Sequence, residues 1–230
     1  MAGTDQVSGF QALPPSLIVF ARLPIQGEVK TRIAHELGAV ATLDLYRKLV
    51  YGSVEQALSV AALWKAPVTL EWHYAGAMGA LAVEDVAIVE SLKGKDVVFV
   101  EQRGADLGER MLNSLFASTA PSVLFGSDIP GLDAGVLHQA LLAIKGAGKT
   151  LVFNPTEDGG YCLIGRSQTV QSQLVAQLFD QIPWSTAEVM KQTLERLMKV
   201  RLSDQTLSWQ ILAPLADIDE PQQARAYLKL

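Results

Sequence analysis

Cysteine is nearly absent from this chain, and histidine is scarce. A single cysteine among 230 residues, Cys162, excludes an intrachain disulfide and favours a reducing compartment, so we expect a cytoplasmic protein. The three histidines, His35, His73 and His138, lie far apart and have none of the spacings that zinc ligands show. The residues that zinc prefers are therefore too scattered to predict a zinc site.

Positive charge is in the minority, and long apolar runs are missing. The 24 acidic residues exceed the 19 lysines and arginines, which leaves a formal net charge of −5. A nucleic-acid partner is disfavoured, because binding to a phosphate backbone needs concentrated lysine and arginine. Membrane insertion is disfavoured as well, since no apolar stretch reaches the roughly 18 residues of a spanning helix. Residues 1–15 lack the order of a secretory signal, and we interpret them as a flexible leader.

Short β-type apolar runs alternate with longer helical patterns, which is typical of an α/β domain. We predict one such domain over residues 16–230. The predicted strands are residues 17–21, 68–71, 97–101, 122–126, 150–154, 162–165 and 210–212. The predicted helices are residues 39–62, 107–118, 134–144, 170–179, 187–199 and 220–227. In the first of these helices an apolar stripe recurs every three or four residues, formed by Leu43, Tyr46, Val50, Val54 and Leu58.

Three cations follow the first predicted strand, in a segment that we call the basic loop (residues 22–32). They are Arg22, Lys30 and Arg32. Gly27 lets the chain bend with its amides available, and Thr31 is positioned to cap a helix that starts near it. Cations and free amides at a helix start are what a nucleotide di- or triphosphate needs. The alternative is a basic surface loop whose cations pair with neighbouring carboxylates, such as Glu28 and Glu36.

Two acidic segments are candidates for a metal site. Ser127 and Asp128 follow a continuously apolar strand, and in open α/β sheets ligands bind at the carboxyl ends of the strands. Mg²⁺ prefers oxygen ligands and often takes only one or two carboxylates, so Asp128 suffices for such a role. The alternative is that Asp128 is simply a turn residue. Asp217 and Asp219 precede the last predicted helix, where Asp219 could instead serve as the helix cap.

A third segment, residues 157–161, reads EDGGY and lies between two predicted strands. Paired glycines allow a tight turn and a close approach of a bound molecule to the backbone. We therefore place Glu157, Asp158, Gly159, Gly160 and Tyr161 on the acceptor side of the site, where a second substrate would bind. Glu157 and Asp158 could contact that acceptor, act as a base or add a metal ligand. The alternatives are a plain hairpin turn for the Asp-Gly pair and aromatic packing for Tyr161.

Six motifs, in this order along the chain, resemble those of the DUF2064 family. The motifs are FARLPIQGEVKTRIA (20–34), QRGADLGERM (102–111), FGSDIPGL (125–132), NPTEDGGYCLIG (154–165), IPWST (182–186) and DIDEP (217–221). This family is glycosyltransferase-like and related to phospholactate guanylyltransferase. It belongs to the GT-A superfamily of nucleotide-diphospho-sugar transferases.

The resemblance implies a fold and a set of roles. The fold is a three-layer α/β/α sandwich with a mostly parallel mixed sheet. Asp128 corresponds to the first metal-binding acid of the superfamily and Asp219 best matches the second, with Asp217 as the alternative. The expected metal is Mg²⁺ or Mn²⁺. The expected catalytic residues are Lys30, Asp128 and Asp158.

We therefore expect a metal-dependent transferase that uses an activated nucleotide. The favoured reaction is nucleotidyl transfer from a nucleoside triphosphate to a small phosphorylated acceptor, because three cations suit a triphosphate. In that case Arg22, Lys30 and Arg32, with Gly27, Thr31 and Ser127, bind the nucleotide. Glycosyl transfer from a nucleotide sugar is the first alternative, and a non-catalytic nucleotide-binding protein is the second. The sequence leaves a homodimer open.

Overall fold

A seven-stranded sheet forms the centre of the protein in a computed structural model that describes residues 13–230. The strands are β1 (Ser16–Arg22), β2 (Thr69–Ala75), β3 (Val97–Glu101), β4 (Ser122–Phe125), β5 (Lys149–Pro155), β6 (Tyr161–Arg166) and β7 (Leu207–Ile211). Their order across the sheet is β3-β2-β1-β4-β6-β5-β7. β6 pairs antiparallel with both β4 and β5, while the other described neighbours pair parallel.

Helices cover both faces of this sheet. They are α1 (Thr31–Leu37), α2 (Ala39–Leu63), α3 (Val83–Lys93), α4 (Leu107–Leu115), α5 (Ala134–Ile144), α6 (Ser172–Phe179), α7 (Val189–Ser203) and α8 (Pro221–Leu228). Successive β1 residues point to opposite faces, as the twofold period of a strand requires. Leu17 and Val19 join the core under α2 and α5, whereas Ile18 joins the core under α4, α6 and α7. The predicted three-layer sandwich with a mostly parallel mixed sheet is confirmed.

Each predicted strand and helix has a counterpart in the structure, with ends shifted by up to four residues. The differences include one helix that was missed and several shifted strand ends. α3 was not predicted, and β7 begins at Leu207 instead of at 210. β2 extends to Ala75, four residues beyond its predicted end. Most of the predicted leader lies outside the described residues, and β1 begins at Ser16. Within residues 13–230, no helix has both the length and the apolarity required to cross a bilayer.

The sheet brings the candidate residues together at the end where β1, β4 and β5 terminate. β1 and β4 are parallel neighbours, so the basic loop after β1 and Ser127-Asp128 after β4 leave the sheet on the same side. β5 ends on this side too, since it runs antiparallel to β6, which is itself antiparallel to β4. Beyond β5, an isolated parallel bridge joins Thr156 to Leu215 and brings in the segment that leads to α8.

Candidate functional site

Lys30 lies at the centre of the candidate site. We call it the strand-end site, because its residues follow the carboxyl ends of β1 and β4 and precede α8. Its Nζ contacts Asp128 Oδ2 at 2.7 Å and donates a hydrogen bond to Asp219 Oδ1 at 2.5 Å. The Lys30 side chain is only 6% exposed, whereas Asp128 and Asp219 are 38% and 49% exposed. We call these three residues the Lys30 cluster. The structure thus brings together a predicted phosphate-binding cation and both predicted metal ligands.

The backbone presents Lys30 from an unusual conformation. Lys30 is the N-cap of α1 and has φ 47° and ψ 45°, in the left-handed region. Such a conformation is unfavourable for a residue with a Cβ. α1 begins at Thr31 as predicted, but the predicted Thr31 cap is wrong. The capping position belongs to Lys30, and no side chain within residues 13–230 accepts a capping hydrogen bond there.

Asp128 and Asp219 are joined through the backbone as well as through Lys30. The Ile218 amide donates to the Asp128 carbonyl at 2.9 Å, so residues 217–219 lie against the end of β4. α8 is capped by Glu220, which forms a reciprocal capping box with Gln223. The alternative role of Asp219 as the helix cap is therefore wrong. Its carboxylate faces Lys30 instead.

Polar side chains of α2 contact the backbone of the site. The Tyr46 hydroxyl donates to the carbonyl of Arg22 at 3.0 Å, and Ser53 Oγ lies 3.5 Å from the carbonyl of Ser127. Burial, and to a smaller extent the charge of Asp128, raises the pKa of Tyr46, so its hydroxyl remains a donor. The sequence analysis assigned Tyr46 to the apolar stripe. Its polar role was missed because periodicity treats tyrosine as an apolar residue.

The other members of the basic loop are more exposed. Arg32 Nη1 lies 3.3 Å from Glu220 Oε1, and both side chains are exposed. Arg22 and Gly27 are also exposed. The alternative in which Glu36 neutralises a basic-loop cation is wrong, because Glu36 pairs with Arg225 at 3.0 Å.

The electrostatics of the site show an excess of negative charge. Burial alone would lower the pKa of Lys30, but the charges of Asp128 and Asp219 outweigh it and raise the pKa above its ordinary value. The pKa of Asp217 is raised by burial and then by repulsion from Asp158 and Asp219. At neutral pH Lys30 is therefore firmly protonated among several carboxylates.

The oxygen-rich character of this site fits a divalent cation such as Mg²⁺ or Mn²⁺. Asp128 and Asp219 would hold it, and Asp217 lies two residues before Asp219 in the sequence. As the side chains stand, no group of three His, Cys, Asp or Glu residues within residues 13–230 converges on a common point suited to a metal ion. Lys30 occupies the position between the two carboxylates.

Residues 157–161 form the connection between β5 and β6. The Thr156 amide donates to the carbonyl of Gly160 at 3.0 Å, and the Gly160 amide donates to Asp158 Oδ1 at 3.1 Å. The alternative of a hairpin turn is thus observed, and Asp158 stabilises it. The Glu157 amide donates to the carbonyl of Leu215 at 3.1 Å, which links the turn to the segment carrying Asp217 and Asp219. Both the Thr156 hydroxyl and the Gly160 amide donate to Oδ1 of Asp158, and its role toward an acceptor stays a prediction.

Gly159 and Tyr161 turn toward the core under α7. A Cβ on Gly159 would collide with the Ala187 carbonyl group, so only glycine fits there. The Tyr161 ring packs edge-on against Phe153 and Trp184, with centroid distances of 5.4 and 6.4 Å. This is the aromatic packing that the sequence left open. Cys162 is buried, and burial raises the pKa of its thiol to about 12, as expected of an inert core cysteine.

The sequence of this chain matches a known protein family. The family model DUF2064, described as an uncharacterized protein conserved in bacteria, matches residues 58–186, more than half of the chain. The chain therefore belongs to the DUF2064 family. No curated protein matches it in sequence.

Solved structures share the architecture. A protein provisionally named a nucleotide-diphospho-sugar transferase, from Desulfovibrio desulfuricans G20, is 27% identical with a TM-score of 0.70, over 90% of this chain and 82% of that one. 4-Diphosphocytidyl-2C-methyl-D-erythritol synthase from Anaerococcus prevotii is 10% identical with a TM-score of 0.53, over 94% and 99%. The nucleotidyl transferase Mth528 from Methanothermobacter is 16% identical with a TM-score of 0.50, over 94% and 95%. The last two show the fold alone.

Proposed function

We propose that this protein is a metal-dependent transferase that binds an activated nucleotide at the carboxyl ends of β1 and β4. The observation that supports this most directly is the convergence of Lys30, Asp128 and Asp219 at that edge of the sheet. A cation for phosphate and two acids for a metal, from three separate segments, meet where ligands of open α/β sheets bind. The name of the Desulfovibrio protein, provisionally a nucleotide-diphospho-sugar transferase, supports a transferase that uses a nucleotide.

Nucleotidyl transfer is the favoured reaction. An oxygen of an acceptor phosphate attacks the α-phosphorus of a nucleoside triphosphate. The bond from the α-phosphorus to the bridging oxygen then breaks, and pyrophosphate leaves with the electron pair. Lys30, Arg22 and Arg32 neutralise the phosphates, with Gly27, Thr31 and Ser127 completing the nucleotide contacts. Such chemistry depends mainly on positioning and charge stabilisation.

Asp128 and Asp219 would hold Mg²⁺ or Mn²⁺. When bound, the ion supplies positive charge to the phosphate oxygens. Glu157, Asp158, Gly159 and Gly160 form the acceptor side, at the β5–β6 turn that touches the segment before α8. Asp158 is the acid proposed to act on the acceptor, while Tyr161 supports this turn from beneath.

Glycosyl transfer is the second candidate, and the name of the Desulfovibrio protein favours it. Here an acceptor hydroxyl attacks the sugar carbon, and a nucleoside diphosphate leaves with the electron pair of the broken bond. The three cations of the basic loop exceed what a diphosphate requires, which is why we favour the triphosphate.

The leaving group distinguishes the two reactions. The protein is incubated with Mg²⁺ or Mn²⁺, pooled nucleoside triphosphates or pooled nucleotide sugars, and phosphorylated and unphosphorylated small acceptors. We expect pyrophosphate release with a triphosphate and a phosphorylated acceptor. Diphosphate release without pyrophosphate would establish the glycosyltransferase instead. Silence in both assays, with nucleotide binding intact, would establish the non-catalytic binding protein.

Asp128→Asn provides the matching variant. It keeps the size of the side chain and removes its charge, so metal-dependent nucleotide binding should be lost while the fold persists. Asp204→Asn is the control, since Asp204 pairs with Lys149 at 2.7 Å near the start of β5, at the opposite edge of the sheet. Unchanged Mg²⁺-dependent affinity in Asp128→Asn would rule out the metal assignment.

A further inference from the structure

The two carboxylates proposed to hold a metal ion share one ammonium group. Asp128 Oδ2 and Asp219 Oδ1 lie 2.7 and 2.5 Å from the same Lys30 Nζ. The lysine is the buried member of this cluster, and the carboxylates are the more exposed members. Two oxygens arranged around one positive centre are what a small cation would also require. The ammonium therefore occupies carboxylate oxygens that Asp128 and Asp219 would otherwise offer to a metal ion.

An ammonium and a divalent ion cannot use the same oxygens together. Like charges repel strongly at such short range, and a carboxylate that already accepts a charge-assisted hydrogen bond has less to offer a second cation. Lys30 is also one of the cations proposed to bind the nucleotide phosphates. Two of its three N–H donors face the acids, so its charge is shared between the carboxylates and any phosphate until it leaves them.

We propose that Lys30 closes the metal site of the nucleotide-free protein and that a polyphosphate opens it. The incoming phosphates attract the Lys30 ammonium, which leaves Asp128 and Asp219 available to the divalent ion. The ion and the nucleotide therefore bind together, each raising the affinity for the other. This inference rests on the proposed function, because it assumes that Asp128 and Asp219 are the ligands and that phosphate is the partner of Lys30.

The local backbone is suited to such an exchange. Lys30 holds its left-handed conformation, which L residues rarely adopt, at the junction between the basic loop and α1. Gly27, three residues earlier, has φ 85°, and a Cβ placed on it would meet no other atom of the described residues within 4 Å. On either side of Gly27, Ile25 and Val29 are buried in the core and anchor the loop. The exchange therefore requires only that the Lys30 side chain leave the two carboxylates.

Mn²⁺ titration followed by electron paramagnetic resonance tests the closure without any nucleotide. Lys30→Met and Lys30→Gln remove the charge, Lys30→Arg retains it, and Lys149→Met removes the cation of the distant Lys149–Asp204 pair. Removal of a cation that contacts both acids should raise the affinity for Mn²⁺ at least about tenfold in Lys30→Met and Lys30→Gln. Wild type, Lys30→Arg and Lys149→Met should bind Mn²⁺ weakly and alike. Thermal melting of each variant verifies that it is folded.

The second part adds pooled nucleoside triphosphates and follows the ternary complex by water-proton relaxation. In the wild type the triphosphates should raise the affinity of the protein for Mn²⁺, and in Lys30→Met this gain should largely disappear, because the site is already open. By linkage the same coupling must be seen in the affinity for triphosphate.

The outcomes separate this inference from the proposed function. If folded Lys30→Met and Lys30→Gln bind Mn²⁺ no more tightly than the wild type, the closure is refuted, even if pyrophosphate is released. If both variants bind Mn²⁺ more tightly but the wild type gains nothing from triphosphate and turns nothing over, the closure by Lys30 holds. In that case the nucleotidyl-transfer proposal and the opening by phosphate are refuted.

Discussion

Two clusters in this protein place one cation among several carboxylates, and they are built in opposite ways. In the Arg47 cluster (Arg47, Asp44, Glu84, Asp85 and Tyr51), the buried member is an acid. Asp85 is 0% exposed, and it accepts hydrogen bonds from Arg47 Nε at 3.0 Å, from Arg47 Nη2 at 2.6 Å and from Tyr51 at 2.7 Å. In the Lys30 cluster the buried member is the cation, and both acids are partly open to solvent.

This difference separates a structural cluster from one that can exchange partners. The planar guanidinium of Arg47 donates two hydrogen bonds to Asp85 and joins α2 to α3. Asp85 is fully buried, so loss of Arg47 would leave its charge without a cationic partner. Asp128 and Asp219 keep access to solvent and can accept a different cation. A buried acid with fixed donors therefore indicates stability, whereas exposed acids around a single lysine indicate binding.

Arg47→Met should produce the largest loss of stability. It leaves the Asp85 carboxylate buried with Tyr51 as its remaining side-chain partner, so the free energy of unfolding should fall by about 3–5 kcal/mol. Lys30→Met should cost less than about 1 kcal/mol, because its two acids regain water. Urea denaturation of both variants measures the difference. Equal losses would mean that the Lys30 cluster is also structural.

Lys30→Ala should produce the largest loss of ligand affinity. Triphosphate binding should weaken by about 1.5–3 kcal/mol, the value of a charge-assisted hydrogen bond. Arg32→Ala should cost less than about 1 kcal/mol, because Arg32 is exposed and pairs with Glu220. Calorimetric titration with a triphosphate and with the parent nucleoside measures both. If the nucleoside loses as much affinity as the triphosphate, Lys30 supports structure and not phosphate binding.

Gly159→Ala and Gly27→Ala compare the rigid and the open parts of the site. Both glycines have positive φ, 91° and 85°. Only Gly159 is confined, because a methyl group there would overlap the Ala187 carbonyl group. We expect a loss of unfolding free energy above about 2 kcal/mol at Gly159, and of about 1 kcal/mol at Gly27, where the backbone conformation alone is unfavourable. Thermal melting of the two variants would contradict this if their losses were equal.

Asp217→Asn should produce the smallest effect and the opposite sign. Because the pKa of Asp217 is raised in the folded protein, its ionised form destabilises the fold above that pKa. Asp217→Asn should therefore stabilise the protein at pH 7, by less than about 1 kcal/mol since the group is half-exposed. The gain should vanish as the pH falls to the ordinary value of 3.8. Denaturation at pH 7 and at pH 4 or below tests this sign.

The sequence predicted the sheet well, because its central strands are continuous apolar runs with a buried residue at nearly every position. α3 escaped prediction for a physical reason. Its buried positions include the acid Asp85, while the apolar Val83 and Val86 are exposed, so its apolar residues do not mark the buried face. β7 lies at one edge of the sheet, and Leu207 is the one fully buried residue among its five, so its pattern marks the strand only weakly.

The candidate site was predictable in composition but not in pairing. Strand ends and motifs identified Lys30, Asp128 and Asp219 one by one. No pattern along the chain showed that the lysine lies between the two acids, because that contact depends on how distant segments pack. The polar support from Tyr46 was hidden for the same reason, since its hydroxyl meets the end of β1 only in the folded protein.

The hydrogen bond from Lys30 to Asp219 spans 189 positions of the chain. A small third core lies behind it, where Ile33 of α1 packs with Leu45 and Leu49 of α2, with Ile218 and with Ala224 of α8. Segments from near the two ends of the described chain thus contact each other at the site itself. Contacts between residues so far apart in sequence form only when nearly the whole topology is in place. A ligand bound there would link these two parts of the fold. The amides of α1 and α8 should then exchange with solvent as one cooperative unit.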